Sequence, residues 1–370
     1  MIFIILHILI YYIVGVYLYN QKNNGVKYRK MHFLICFLLL FIFFGFRDLP
    51  ILNDTAHYYR EYQERVQEKP LSVFDINILH RYGVGYQAFV NFLIVYISKN
   101  PYTIIIVSSL FVSLFMTYGL KKYIWNIGLF CFFLLSSGNL LFFYSAIRQS
   151  LASIIFFFAY EKLCKGKYLL YIILFVIAFS FHNSAIILFL PLIFRLIKFN
   201  KRNLVVFVTL FLFAIYLMDM FIGLFGFGDT AYLDDDRQRE TFPIAILVYV
   251  LIDLFYILCF YYIGKKYGIA RPNDMTLWMS TTMVLLTVSA IPLGIAGRFS
   301  MYFCVFFFIM MMYYLDRIPR SKKNNYLFLF FCISMSRIIV ELIVKPEWNH
   351  LYPFSFFDFF ATSYETEYGY

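Results

Sequence analysis

Residues 126–167 read NIGLFCFFLLSSGNLLFFYSAIRQSLASIIFFFAYEKLCKGK. Two apolar runs, 126–144 and 146–163, meet at a short polar joint, and the second closes on Lys162, Lys165 and Lys167. Each is close to the ~20 residues a helix needs to cross a bilayer core of about 30 Å. Neither has the ten-residue alternation of a barrel strand, and an unclosed strand would leave backbone groups unpaired in lipid. The stretch therefore reads as two membrane helices, with Arg148 at the joint between them. A charge inside a membrane is costly, so ionisable groups there usually line a pocket or a path.

The same pattern extends in both directions. The chain has 370 residues, 62% apolar and only 14% charged, with a mean hydropathy of +0.73. Apolar segments fall at roughly 1–19, 32–46, 82–98, 102–120, 126–144, 146–163, 168–183, 184–198, 203–222, 244–263, 275–294, 298–315 and 326–344. The expected architecture is an all-α polytopic helical membrane protein of about 12 spans. It forms one transmembrane domain, 1–344, followed by an aromatic tail, 345–370, suited to the membrane interface. Met1–Tyr19 lacks a basic n-region and a small-residue cleavage site, and reads as the first span.

A net charge of +11 invites a nucleic-acid reading, but most of the 32 basic residues sit in short loops between spans. These are Lys22, Lys27, Arg29 and Lys30; Lys121 and Lys122; Lys162, Lys165 and Lys167; Arg195, Lys198, Lys201 and Arg202; Lys265, Lys266 and Arg271; and Arg317, Arg320, Lys322 and Lys323. The positive-inside rule makes those loops cytoplasmic. It puts the loops 47–81 and 223–243, the turns near Arg148, His182 and Arg298, and the tail outside. The arrangement predicts no nucleic-acid partner. One parity conflict remains. Two apolar segments separate the 47–81 loop from Lys121–Lys122, where an odd number of crossings is required. Either 82–98, with Gly83, Gly85, Gln87 and Asn91, is re-entrant or interfacial, or Lys121–Lys122 breaks the rule. The six cysteines are scattered and show no CxxC or Cys/His spacing, so they read as small buried hydrophobes. No metal site or cofactor motif is expected: the acidic run Asp234–Asp236 reads as a solvated loop, and no Walker sequence is present.

Three ionisable groups then fall at one face. Arg148, beside Gln149, offers a rigid donor fork suited to phosphate. His182 sits in Phe179–Ser184 and can act as a base or a hydrogen-bond donor. Arg298 lies in Ile295–Tyr302, where Gly294 and Gly297 permit close backbone approach. Each alone could be an interfacial anchor; together they suggest an anion site. Arg47–Asp48, Asn53–Asp54 and Tyr58 follow the second span, and a carboxylate there could activate a hydroxyl or hold a sugar. Glu61, Glu64, Arg65 and Glu68 read as a solvated helix face with no chemistry. Asp219 and Asp253 lie in apolar runs, and either could pair with an arginine in the bundle.

The order of these pieces resembles the EpsG family, membrane proteins of exopolysaccharide operons related to Wzy-type polymerases. The segments that carry it are Phe46–Arg47 with Asn53–Asp54 and Tyr58; Ala146–Ala152; Phe181–Ala185 with Pro191; and Gly297–Phe299 with Tyr302–Phe303. This chain departs from the family in having Asn53 where Gly is frequent, and Arg81–Tyr86 where a Glu is frequent. The resemblance implies a fold like GT-C or Wzy-type glycan polymerases in the bacterial inner membrane. It implies a glycosyltransferase that joins undecaprenyl-diphosphate-linked oligosaccharides into exopolysaccharide, capsule or O-antigen on the outer leaflet. Membrane lipids, a flippase and a chain-length regulator are the implied partners, and no cofactor is implied. Arg148 and Arg298 would bind diphosphate, and Asp54 or His182 would take the acceptor's proton. Arg47, Tyr58, Gln149 and Tyr302 would contact substrate. A flippase or exporter of lipid-linked glycans and a membrane O-acyltransferase are the rival readings. The first needs polar groups on both faces, and the second a histidine fed from the cytoplasm.

Overall fold

The computed structural model describes residues 2–20, 25–70, 72–77, 82–217, 236–291, 295–344, 351 and 354–357. Among these every regular element is a helix, and the one β contact is an isolated antiparallel bridge between Arg47 and Phe356. The helices are α1 (Ile2–Asn20), α2 (Gly25–Gly45), α3 (Thr55–Gln67), α4 (Val84–Tyr96), α5 (Tyr102–Leu114, continued by a π-turn Phe115–Gly119), α6 (Ile127–Ser136), α7 (Asn139–Ser145), α8 (Ile147–Cys164), α9 (Tyr168–Phe181), a 3₁₀ segment Asn183–Phe189, α10 (Leu190–Leu196), α11 (Lys201–Tyr216), α12 (Asp236–Tyr267), α13 (Asp274–Ser289), α14 (Ile295–Arg317) and α15 (Arg320–Val344).

Among the described residues, four helical stretches are long and apolar enough to cross a membrane: Tyr28–Gly45, Tyr102–Gly119, Ile246–Tyr267 and Ala296–Arg317. The α6–α7 pair, bent by 82°, makes a fifth if taken as one span. By length and composition the described residues thus supply four or five spans. Several apolar segments are shorter helices, such as Tyr168–Phe181 and Asn183–Leu196. The expected 223–243 loop is also revised in part, because α12 is already helical from Asp236; residues 218–235, including Asp219, lie outside the described residues.

The basic loops gather at one end of the bundle. Arg29 donates to the carbonyls of Lys121 (2.6 Å) and Ile124 (3.0 Å). Lys122 meets Glu161 at 3.3 Å, and Arg271 reaches the Phe199 carbonyl at 2.8 Å. At the opposite end lie α3, the α7–α8 joint and the turn after α9.

Helix α4 resolves the parity conflict. Its start abuts the far end of α9: a Cβ added to Gly83 would come within 2.1 Å of the Ser180 carbonyl oxygen. Its end reaches α3, where Tyr62 Oη donates to the Ser98 carbonyl at 2.5 Å. Both ends therefore stay at the end of the bundle opposite the lysines. Its 13 residues span about 20 Å, less than a bilayer core. Only α5 runs between α4 and Lys121.

Helix contacts follow from small residues and caps. Gly15 of α1 and Gly128 of α6 pack backbone to backbone, and a Cβ on Gly128 would lie 2.6 Å from the Gly15 nitrogen. Small residues let membrane helices approach this closely. Asn126 secures the same contact: its Oδ1 accepts from the Leu129 N–H, and its amide donates to the Gly15 carbonyl at 2.8 Å. The α6–α7 bend falls at Gly138, whose φ of +76° suits glycine. A buried ion pair, Asp253–Arg337 at 2.9 Å, ties α12 to α15, so the partner of Asp253 is Arg337. The tail returns over α2, with the Phe357 ring stacked on Tyr102 at 4.0 Å and Phe354 on Phe43 at 4.0 Å.

Candidate functional site

The α7–α8 joint delivers Arg148 and Gln149 in the first turn of α8. The guanidinium of Arg148 lies over Tyr82, 4.2 Å from the ring centroid, and 5.9 Å from Tyr86. Stacking of this kind desolvates one face of the fork and fixes its plane. The Arg148 backbone N–H faces Tyr58 Oη at 3.5 Å, and the Arg148 charge is within electrostatic reach of that phenol. Burial pushes the Tyr58 phenol above its ordinary value, against the opposing pull of Arg148. Tyr58 lies four residues beyond Asp54, the residue that precedes α3, and Asp54 is within electrostatic reach of it.

Two other elements bring the remaining groups to this point. Gln149 donates through its amide to the Arg298 carbonyl, which joins α8 to the start of α14. His182 is the residue between α9 and the 3₁₀ segment. The charges of Arg148 and Arg298 both reach its ring. Its Nδ1 accepts the Ser184 N–H at 3.2 Å and lies 2.6 Å from Ser184 Oγ, which in turn is 3.0 Å from Tyr302 Oη. Tyr302 is fully buried and within the field of Arg148. The structure therefore brings Arg148, Gln149, His182, Arg298, Tyr302 and Tyr58 together, with Asp54 beside Tyr58.

It does not bring Arg47 there. Arg47 is 0% exposed. Its donors go to Thr55 Oγ1 (3.0 Å), Ser109 Oγ (3.1 Å), the Tyr144 carbonyl (2.8 Å) and the Phe44 carbonyl. The residue expected to contact substrate is a structural staple joining α2, α3, α5 and α7.

Four residues escaped the sequence reading. Tyr82, just before α4, and Tyr86 within it form the stacking platform. Ser184 links His182 to Tyr302. Glu61, read as part of a solvated face, is half-buried and electrostatically coupled to Arg148 and Tyr86. Tyr58 and Glu61, three residues apart, share one face of α3, and Asp54 is the N-cap residue of that helix, one turn before Tyr58.

Gly83 and Gly85 set the distance between these elements. A Cβ on Gly85 would meet Ser180 Oγ at 2.2 Å. This close approach holds Tyr82 and Tyr86 against the end of α9, two residues before His182. Among the described residues no group of three His, Cys, Asp or Glu gathers to hold a metal ion.

Apolar helices enclosing a cluster of arginine, histidine and tyrosine at one end define a helical membrane protein with a buried, positively charged site. The sequence profile of the EpsG family matches residues 30–356, nearly the whole chain, and the protein belongs to that family. That makes it an exopolysaccharide-associated membrane protein. No curated protein and no solved structure matches it.

Proposed function

We propose that this protein is a glycosyltransferase that polymerises oligosaccharide repeat units carried on undecaprenyl diphosphate, at the outer leaflet of the bacterial inner membrane. The observation that carries this reading is the convergence of Arg148, Arg298 and His182 from three separate helical elements at the end of the bundle opposite the lysine-rich loops. With those loops in the cytoplasm, the cluster faces outward, where a lipid-linked glycan presents its diphosphate.

In the reaction the acceptor hydroxyl oxygen forms a bond to the anomeric carbon of the donor. The bond from that carbon to the diphosphate oxygen breaks, and its electron pair leaves with the diphosphate. The hydroxyl proton passes to Asp54 or His182. Diphosphate is a good leaving group, so the protein's main contribution is positive charge preorganised where charge develops. Arg148, fixed on Tyr82, and Arg298 supply it. Gln149, Tyr58 and Tyr302 hold the pieces in register, and the polyprenyl tail enters between apolar helices. The twelve-span, GT-C-like architecture and the flippase and chain-length partners belong to the same proposal.

The test is a gel profile of lipid-linked and surface polysaccharide from cells lacking the protein, complemented with wild type, Arg148→Ala, His182→Ala or Arg298→Ala. Single repeat units accumulate in the null and in well-expressed variants if the proposal holds. Full-length polymer trapped inside indicates an exporter, and normal polymer missing a decoration indicates an acyltransferase; either outcome overturns it.

A further inference from the structure

The hydrogen bonds around His182 decide between its two chemical roles. Nδ1 faces the Ser184 backbone N–H at 3.2 Å. A backbone N–H can only donate, so Nδ1 must present its single lone pair, and the ring proton belongs on Nε2. Ser184 Oγ lies at 2.6 Å from the same nitrogen and Tyr302 Oη at 3.0 Å from Ser184 Oγ. The chain of donors therefore runs from Tyr302 through Ser184 to Nδ1. The same bond caps the 3₁₀ segment, where His182 is the N-cap residue. A ring so held has no vacant lone pair: Nδ1 is occupied and Nε2 already carries hydrogen. Protonating it would set two N–H groups against each other and undo the cap. The adjacent charges of Arg148 and Arg298 oppose a third positive charge as well.

We propose that His182 is a neutral hydrogen-bond donor, through Nε2–H, to the departing diphosphate, that Ser184 is the residue positioning it, and that the acceptor's proton goes to the carboxylate of Asp54. This rests on the diphosphate-site reading above and narrows it, since it removes His182 as the base. Bond changes at the anomeric carbon are unaltered. The developing negative charge on the leaving oxygen meets an N–H donor within the field of Arg148 and Arg298.

The test uses the full chain in lipid nanodiscs, with undecaprenyl diphosphate as the binding probe and lipid-linked repeat units for the rate. His182→Gln puts an amide N–H near the place of Nε2–H but cannot act as a base. It should bind the probe within about threefold of wild type, while His182→Ala weakens binding by about 10- to 100-fold, as for a lost hydrogen bond to a charged group. Polymerisation by His182→Gln should exceed that of His182→Ala at every pH, with no change in the pH profile relative to wild type. Ser184→Ala should weaken probe binding by a smaller factor, which Ser184→Thr restores. The proposal is overturned if both His182 variants bind the probe like wild type yet are equally inactive, which is the signature of a base. Wild type that fails to bind the probe overturns the diphosphate reading itself, separately from the role of His182.

Discussion

At the residue scale, two arginines that look alike in the sequence have opposite fates. Arg148 is held by stacking on Tyr82, in a cluster with a second arginine. Arg47 is buried among carbonyls and hydroxyls of its own fold. Truncating Arg47 leaves several buried acceptors without donors, at about 1–3 kcal/mol for each that water cannot reach. Arg47→Ala should therefore lower thermal stability in detergent and reduce yield. Arg148→Ala should leave the melting temperature within a few degrees of wild type while abolishing polymer. Thermal melting of both purified variants, beside the polysaccharide gel, checks this; a normal melt for Arg47→Ala would contradict the staple. The cost of an intramembrane charge made Arg148 visible in the sequence, and its place just beyond the second span marked Arg47. Which one reaches a ligand depends on what surrounds it, and those neighbours come from distant segments such as Tyr144 and Ser109. Ser184, Tyr82 and Tyr86 carry no such signal. Hydroxyls and phenols are common in apolar helices, and only their contacts single them out.

At the scale of elements, α4 is the piece whose reading changed most. Its composition is that of a weak span, yet both of its ends stay on one side. Single cysteines at Asn100 and at Lys121, in a variant cleared of exposed native thiols, should react with a membrane-impermeant maleimide from opposite sides of the membrane, Asn100 from outside. Labelling of the Asn100 position from the cytoplasmic side would restore α4 as a crossing. The close α4–α9 approach gives a second expectation. Gly85→Val forces its side chain into Ser180, whose hydroxyl would lie 2.2 Å from the new Cβ. Tyr82, Tyr86 and Arg148 then shift against His182. Polymer output should fall by about 10-fold or more, as expected when catalytic groups are misplaced by about 1 Å, with expression near wild type. The apolar stretches and their helical form were legible because a lipid core demands them. Whether a 13-residue apolar segment crosses or lies along the surface was not, since length and hydropathy permit both.

At the scale of the molecule, the buried pair Asp253–Arg337 locks α12 to α15, with Arg337 also 4.3 Å from the Tyr249 ring. Removing one partner strands a charge in an apolar interior, at about 3–5 kcal/mol. Replacing both with apolar residues of similar volume removes that penalty. Asp253→Leu and Arg337→Met should each reduce thermal stability sharply, and the double variant should recover most of the loss. A double variant no better than the worse single would show that the pair is needed for more than charge balance. The sequence by itself determined that this is a helical membrane protein, which end of the bundle carries its lysines, and that arginines and a histidine sit near the other end. Those properties follow from hydropathy and charge, which add up along the chain and need no partner. The tertiary structure alone decided that Arg148, His182, Arg298 and Tyr302 share one cluster, that Arg47 does not, and that Asp253 pairs with Arg337. Each of these is a contact between residues far apart in the chain. Helix register and crossing geometry set such contacts, and no local pattern in the sequence encodes them.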